Sequence, residues 1–244
     1  MDLVSPRTWI KLYYGIQMRK LCFLAILVLA GCGKSDEPAP RASTDSPTAP
    51  TPASPVAPAD PRPAIVVFGD SISAGFGLDA GQSFPDLLQQ DLERRGLKYR
   101  VVNLGVSGDT TQDGLARISM ALGEKPAIVL LELGANDGLR GVPSNITQQN
   151  LAEMIEAFQK AGARVVLAGM TLPPNYGPAY ITKFEAVYRD LAAKHKLTSI
   201  PFLLEGVGGN DRFMQRDGLH PNAEGARKIE ALVMKTLEPL FSRF

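Results

Sequence analysis

Cysteine is nearly absent from this 244-residue chain: Cys22 and Cys32 are the only two, and both precede residue 64. A disulfide scaffold and a cysteine-built metal centre are thereby excluded for everything beyond that point. Histidine is equally scarce, and His195 and His220 alone cannot build a three-histidine zinc site. Net charge is lacking too: 26 Lys+Arg against 25 Asp+Glu leave +1, no field that would gather phosphates, so nucleic acid is not expected as a partner. Long apolar runs are missing except for Leu21–Gly31, eleven uncharged residues. At ~1.5 Å per residue that run covers about 17 Å of a hydrocarbon core of roughly 30 Å, too little for a stable membrane span.

What is there divides unevenly. Arg7, Lys11, Arg19 and Lys20 precede the apolar run, the pattern of a signal peptide over 1–31. The run ends in Leu29-Ala30-Gly31-Cys32, which resembles a bacterial lipobox. That resemblance implies that Cys32 is lipidated and begins the mature protein. Gly33 after it, where Asp would retain the protein elsewhere, implies the outer membrane of a Gram-negative cell, with the domain in the periplasm. Over 32–63 the chain is a Pro/Ala-rich tether with nine prolines after residue 33, too poor in apolar side chains to fold. The remaining residues, 64–244, are long enough for one domain with a sizeable core.

That domain alternates strand-like and helix-like segments. Apolar β-branched runs at 64–68, 99–103, 127–133, 164–168 and 198–202 read as buried strands. Between and after them, helices are expected from Ser83 and Pro85 to Gly96, from Thr147 to Gly162, near 182–195 and near 222–240. Regular alternation predicts an α/β fold: a parallel five-stranded sheet between two layers of helices, a three-layer α/β/α sandwich. In such sheets ligands bind beyond the carboxyl ends of the strands. The residues placed there are Gly69-Asp70-Ser71, Leu104-Gly105-Val106, Gly134-Ala135-Asn136-Asp137 and Gly169-Met170-Thr171, with Asp217-Gly218-Leu219-His220 as a polar turn before the last helix.

These positions supply the parts of acyl transfer through a covalent intermediate: an activated hydroxyl, a base, a group that orients the base, and donors for an oxyanion. Ser71 follows the first strand at a helix start, where free N–H groups favour developing negative charge. His220 is the candidate base, and Asp217, three residues earlier on one turn, can fix its tautomer. The N–H groups of Ser71 and Gly105 and the Asn136 amide are the candidate oxyanion donors. Each has a plainer reading: a helix cap for Ser71, turn residues for Gly105 and Asn136, a surface histidine for His220. His195 and Asp137 read as structural. Gly75-Phe76-Gly77-Leu78-Asp79-Ala80 matches a weak dinucleotide fingerprint, but it starts too far beyond its strand to serve as one.

No G-x-S-x-G string occurs, which disfavours the nucleophile elbow of that type. Instead GDSIS at 69–73, NLGVSGDT at 103–110, GANDGLRG at 134–141 and DGLHPN at 217–222 resemble the four blocks of the SGNH hydrolases, or GDSL-like lipases. The resemblance implies a flavodoxin-like sheet, Ser71 as nucleophile, Gly105 and Asn136 as oxyanion donors, and Asp217 with His220 as the rest of a triad. SGDTTQDGLARI at 107–118 and LPPNYGPAY at 172–180 are similar to the arylesterase, thioesterase I and lysophospholipase L1 group. By that likeness the substrate is a small acyl ester, thioester or lysophospholipid. Leu172, Pro173, Pro174 and Tyr176 line the acyl chain, no cofactor or metal is needed, and the enzyme is a monomer. A carbohydrate or peptidoglycan O-acetylesterase on the same fold, and a lipoprotein binding module that has lost the chemistry, are the alternative readings.

Overall fold

The computed structural model describes residues 60–241. The expected signal peptide at 1–31, Cys32 and residues 33–59 of the expected tether lie outside the described residues. Residues 60–63 are already tied to the domain: the Arg62 guanidinium donates to Tyr99 O at 3.3 Å, and Pro63 O accepts the Arg100 N–H at 3.1 Å.

Five parallel strands, β1 (Ala64–Gly69), β2 (Arg100–Asn103), β3 (Pro126–Glu132), β4 (Arg164–Ala168) and β5 (Thr198–Ile200), form one sheet in the order β2-β1-β3-β4-β5. The three central strands carry the uninterrupted Val, Ile and Leu runs because helices cover both their faces, and β1 is buried at every residue. Eight helices surround the sheet among the described residues: α1 (Ser71–Ala74), α2 (Phe84–Arg94), α3 (Thr111–Ala116), α4 (Ile118–Gly123), α5 (Ala135–Leu139), α6 (Ser144–Lys160), α7 (Pro178–His195) and α8 (Ala223–Leu237). α2 packs against α8, and α6 against α3 and α7, which makes the two helical layers.

Local chemistry sets these boundaries. α2 opens on a capping box between Ser83 and Asp86, and α8 on Asn222, whose side chain accepts from the N–H groups of Glu224 and Gly225. The expected start of α6 at Thr147 is corrected, because the helix begins at Ser144 and Thr147 is buried inside it. The Thr147 hydroxyl donates to Asp137 at 3.3 Å, so it serves a neighbouring element and not its own helix end. The short helices α3, α4 and α5 escape the sequence pattern, being too brief to show a period, while a helix does start at Ser71 as expected.

The strand order reverses direction between β1 and its neighbours, with β2 on one side and β3 on the other. That switch point opens a crevice above the carboxyl ends of β1 and β3. Ser71 follows β1 and Asn136 follows β3, so the crevice lies between them.

Candidate active site

The β1–α1 turn holds Ser71 at the first residue of α1, with Asp70 as its N-cap: Asp70 Oδ1 accepts the Ile72 N–H at 3.0 Å. Across the crevice, the loop before α8 brings His220 Nε2 to 2.9 Å from Ser71 Oγ. His220 Nδ1 lies 2.7 Å from Asp217 Oδ2, and Asp217 Oδ1 accepts the N–H groups of Leu219 and His220. Burial pushes the Asp217 carboxyl up, but the bonds from the His220 ring and from these two N–H groups outweigh it and hold the carboxyl down at about 2. An ionised carboxylate only accepts, so His220 Nδ1 carries the hydrogen and Nε2 is left to accept from the serine. The Phe76 ring covers the imidazole, with centroids 4.5 Å apart, and Gln215 fixes the Phe76 loop by donating to Phe76 O at 2.7 Å. Gly75 and Gly77, the glycines of the weak fingerprint, are turn residues of that loop at φ 74° and 73°.

The three candidate oxyanion donors lie at the same rim in different states. The Ser71 N–H has no acceptor among the described residues. The Gly105 N–H is given to Asn103 Oδ1 at 2.9 Å. The Asn136 amide is given twice, to Asp70 Oδ2 at 3.2 Å and Asp109 O at 3.0 Å. To serve a substrate oxygen, Gly105 and Asn136 would have to share or exchange bonds they already make. Glycine is required at 105, because a Cβ there would overlap the backbone of Ser73 and Ala74.

Arg117, on which sequence reasoning was silent, fastens this rim from below. Its guanidinium donates to Leu104 O at 2.8 Å, Gly69 O at 2.9 Å and Asp109 Oδ2 at 2.6 Å, and lies 4.2 Å from the centroid of the Phe68 ring. Asp137, read as structural, is buried and accepts from the Thr111 N–H at 2.8 Å and from the Thr111 and Thr147 hydroxyls, which ties α3 and α6 to α5. His195 ends α7, with its ring 3.9 Å from Glu156.

Beside the serine runs an apolar cleft of about 470 Å³, with Asn136 and His220 at one end and Leu172, Pro173, Pro174, Phe202 and Leu204 along its walls. Tyr176 is not among the residues that line it. The Tyr176 hydroxyl donates to Leu139 O at 2.9 Å and its ring stacks on Tyr180, so it braces the loop that carries the prolines. Among the described residues no group of three or more His, Cys, Asp or Glu is placed to hold a metal ion.

Residues 67–228 match the model of the GDSL-like Lipase/Acylhydrolase family. The chain is 50% identical over 177 residues to Esterase TesA of Pseudomonas aeruginosa, covering 72% of this chain and 88% of that one. It is 39% identical over 177 residues to Thioesterase 1/protease 1/lysophospholipase L1 of Escherichia coli K12, covering 72% and 84%. A crystal structure of TesA superposes with a TM-score of 0.71 at 50% identity, over 72% of this chain and 99% of that one. The matched stretch starts inside the first strand and ends in the last helix, so it takes in every element that carries the crevice, and the chain belongs to the GDSL-like lipase/acylhydrolase family.

Proposed function

We propose that the chain is a serine ester hydrolase in which Ser71, His220 and Asp217 act as a triad. The observation that carries the reading is the chain of bonds from Ser71 Oγ through His220 to an ionised Asp217, opening on an apolar cleft. His220 Nε2 takes the Ser71 proton as Oγ attacks the ester carbonyl, and Asp217 holds the resulting imidazolium. The carbonyl oxygen becomes an oxyanion that the Ser71 N–H, the Gly105 N–H and the Asn136 amide receive. His220 returns the proton to the leaving alcohol or thiol, and an acyl-enzyme on Ser71 remains. Water, deprotonated by His220, then attacks the acyl carbonyl; collapse of the second tetrahedral species releases the acid and returns the proton to Ser71.

The apolar cleft suits an acyl chain longer than acetyl, because each methylene buried there contributes about 0.8 kcal/mol. That favours an ester, thioester or lysophospholipid substrate over an acetylated carbohydrate, in keeping with the names of the two relatives. Lipidation at Cys32 and an outer-membrane location belong to this reading, supported by the Leu29-Ala30-Gly31-Cys32 string and the tether behind it, as does a monomeric enzyme.

Rates on p-nitrophenyl acetate and p-nitrophenyl octanoate, for the protein and for Ser71→Ala, test the reading. Loss of about 10⁴-fold or more in the variant is expected, with octanoate the better substrate of the wild type. Preference for acetate would favour the deacetylase, and no turnover from folded protein would favour the binding module.

A further inference from the structure

Glu132 ends β3, is fully buried, and takes no part in the steps above. A buried carboxyl is costly unless its surroundings satisfy it. Its Oε2 accepts the Asp70 N–H at 3.1 Å and the Ser73 hydroxyl at 2.5 Å. Its Oε1 is buried with no bonding partner among the described residues. The fit is close enough that a Cβ at Gly69 would overlap Glu132 Oε2 and Ser73 Oγ, which is why the first strand ends in glycine. Asp70, also buried, spends Oδ1 on the Ile72 N–H and Oδ2 on the Asn136 amide. The two carboxyls together tie the end of β3 to the serine turn and to α5.

No Lys or Arg bonds either carboxyl among the described residues. The titratable groups whose fields reach the pair are His220, which favours the ionised form of Asp70, Asp109, which opposes it, and the buried hydroxyl of Tyr188, which also faces Asp137. Two carboxyls in one dry site do not both ionise. Burial and then the Asp70 charge drive Glu132 well above the carboxylate range. Burial raises Asp70 only to about 6, because the Ile72 N–H, Glu132 and His220 favour its charge.

We propose that Glu132 is a positioning residue, a neutral acid that leaves Asp70 the one anion of the pair and, through Asp70, aims the Asn136 amide and the first turn of α1. The proposal rests on the roles of Ser71 and Asn136 argued above. A second negative charge behind Ser71 would oppose the oxyanion, so neutrality serves the same step as the bonds do.

The test combines infrared spectroscopy with kinetics on p-nitrophenyl butyrate. The difference spectrum between wild type and Glu132→Gln should show a protonated-carboxyl C=O band at neutral pH. Glu132→Leu removes the acceptor of the Asp70 N–H and should lower kcat by about tenfold or more, with KM little changed because the cleft is not lined by residue 132. Glutamine keeps the acceptor and replaces the O–H donor with N–H, and should rescue kcat to within about threefold of wild type. Absence of the band, a glutamine variant as slow as the leucine one, or a leucine variant as fast as wild type would overturn the proposal. Where the leucine variant does not fold, Asp70→Asn takes its place, with the same loss expected and an unchanged kcat overturning. The band needs no turnover, so it separates failure of this proposal from failure of the esterase reading.

Discussion

Replacing Arg117 by methionine separates holding the fold from aiming the catalytic backbone. The carbonyl of Leu104 and the N–H of Gly105 are opposite ends of one peptide plane, so the 2.8 Å bond from Arg117 to Leu104 O sets where the Gly105 N–H points. Its bond to Gly69 O does the same for the peptide that leads into Asp70 and Ser71. Methionine keeps an apolar stem against Phe68 and removes every donor. Asp109, only 13% exposed, then loses its cation, at about 2–3 kcal/mol, less than the ~3–5 of a fully buried pair. Leu104 O loses its partner at about 1–2 kcal/mol, while Gly69 O keeps the Val106 N–H. The sum of about 3–5 kcal/mol lowers Tm by about 10 °C in a domain of this size, read by circular dichroism. Complete loss of an oxyanion donor costs about 100- to 1000-fold in rate; a misaimed one should cost about 10- to 100-fold in kcat, with KM little changed. Arg117→Lys restores a charge for Asp109 but cannot bond both carbonyls, so it should recover part of the Tm and little of the kcat. Either variant at wild-type kcat, measured well below its Tm, would refute the reasoning and leave Arg117 a purely structural residue.

Two further outcomes follow from the same coordinates. Burial, then the charge of Asp91, raises Glu230 to about 7 against the opposing pull of Arg94 and Arg95, and its Oε1 has no partner among the described residues. A carboxyl raised in the fold contributes stability that is fully present below the unfolded value and lost as pH rises through about 7, so Glu230→Gln should match wild-type Tm near pH 4 and exceed it near pH 8; an equal difference at both would contradict this. Leu204→Trp narrows the cleft, and since each buried methylene is worth about fourfold in kcat/KM, the octanoate-to-acetate ratio should fall by at least about tenfold; an unchanged ratio would place the acyl chain elsewhere.

The three central strands were legible because each is a short apolar run, and α2, α6, α7 and α8 because they are long enough to repeat; β2 and β5, expected as buried runs, are the sheet's edge strands, and neither is buried along its length. The candidate triad was legible for a different reason. Asp217 and His220 share one turn, and the carboxyl-end rule carries Ser71 to the same rim whatever its distance in sequence. The partners of Tyr176 were not legible, because aromatic character in a loop does not say which face it turns; here the hydroxyl found Leu139 O and the ring Tyr180. Glu132 offered a weak signal, a lone acid closing an apolar strand, and Arg117 offered none.

These omissions share one cause. A motif fixes which donors exist, and topology fixes where they lie, but whether a donor is free depends on acceptors brought from remote parts of the chain. The Asn136 amide is taken up by Asp70, 66 residues away, and by Asp109, 27 away, and Arg117 reaches Gly69 across 48. Bonds of that kind leave no period in the sequence. They also decide the chemistry: of the three oxyanion candidates only the Ser71 N–H is unspent among the described residues, so in the proposed mechanism the hole is completed by exchange of bonds at Gly105 and Asn136, and residues that would tune those exchanges, Asp70 and Glu132 foremost, should bear on the rate without touching the ester.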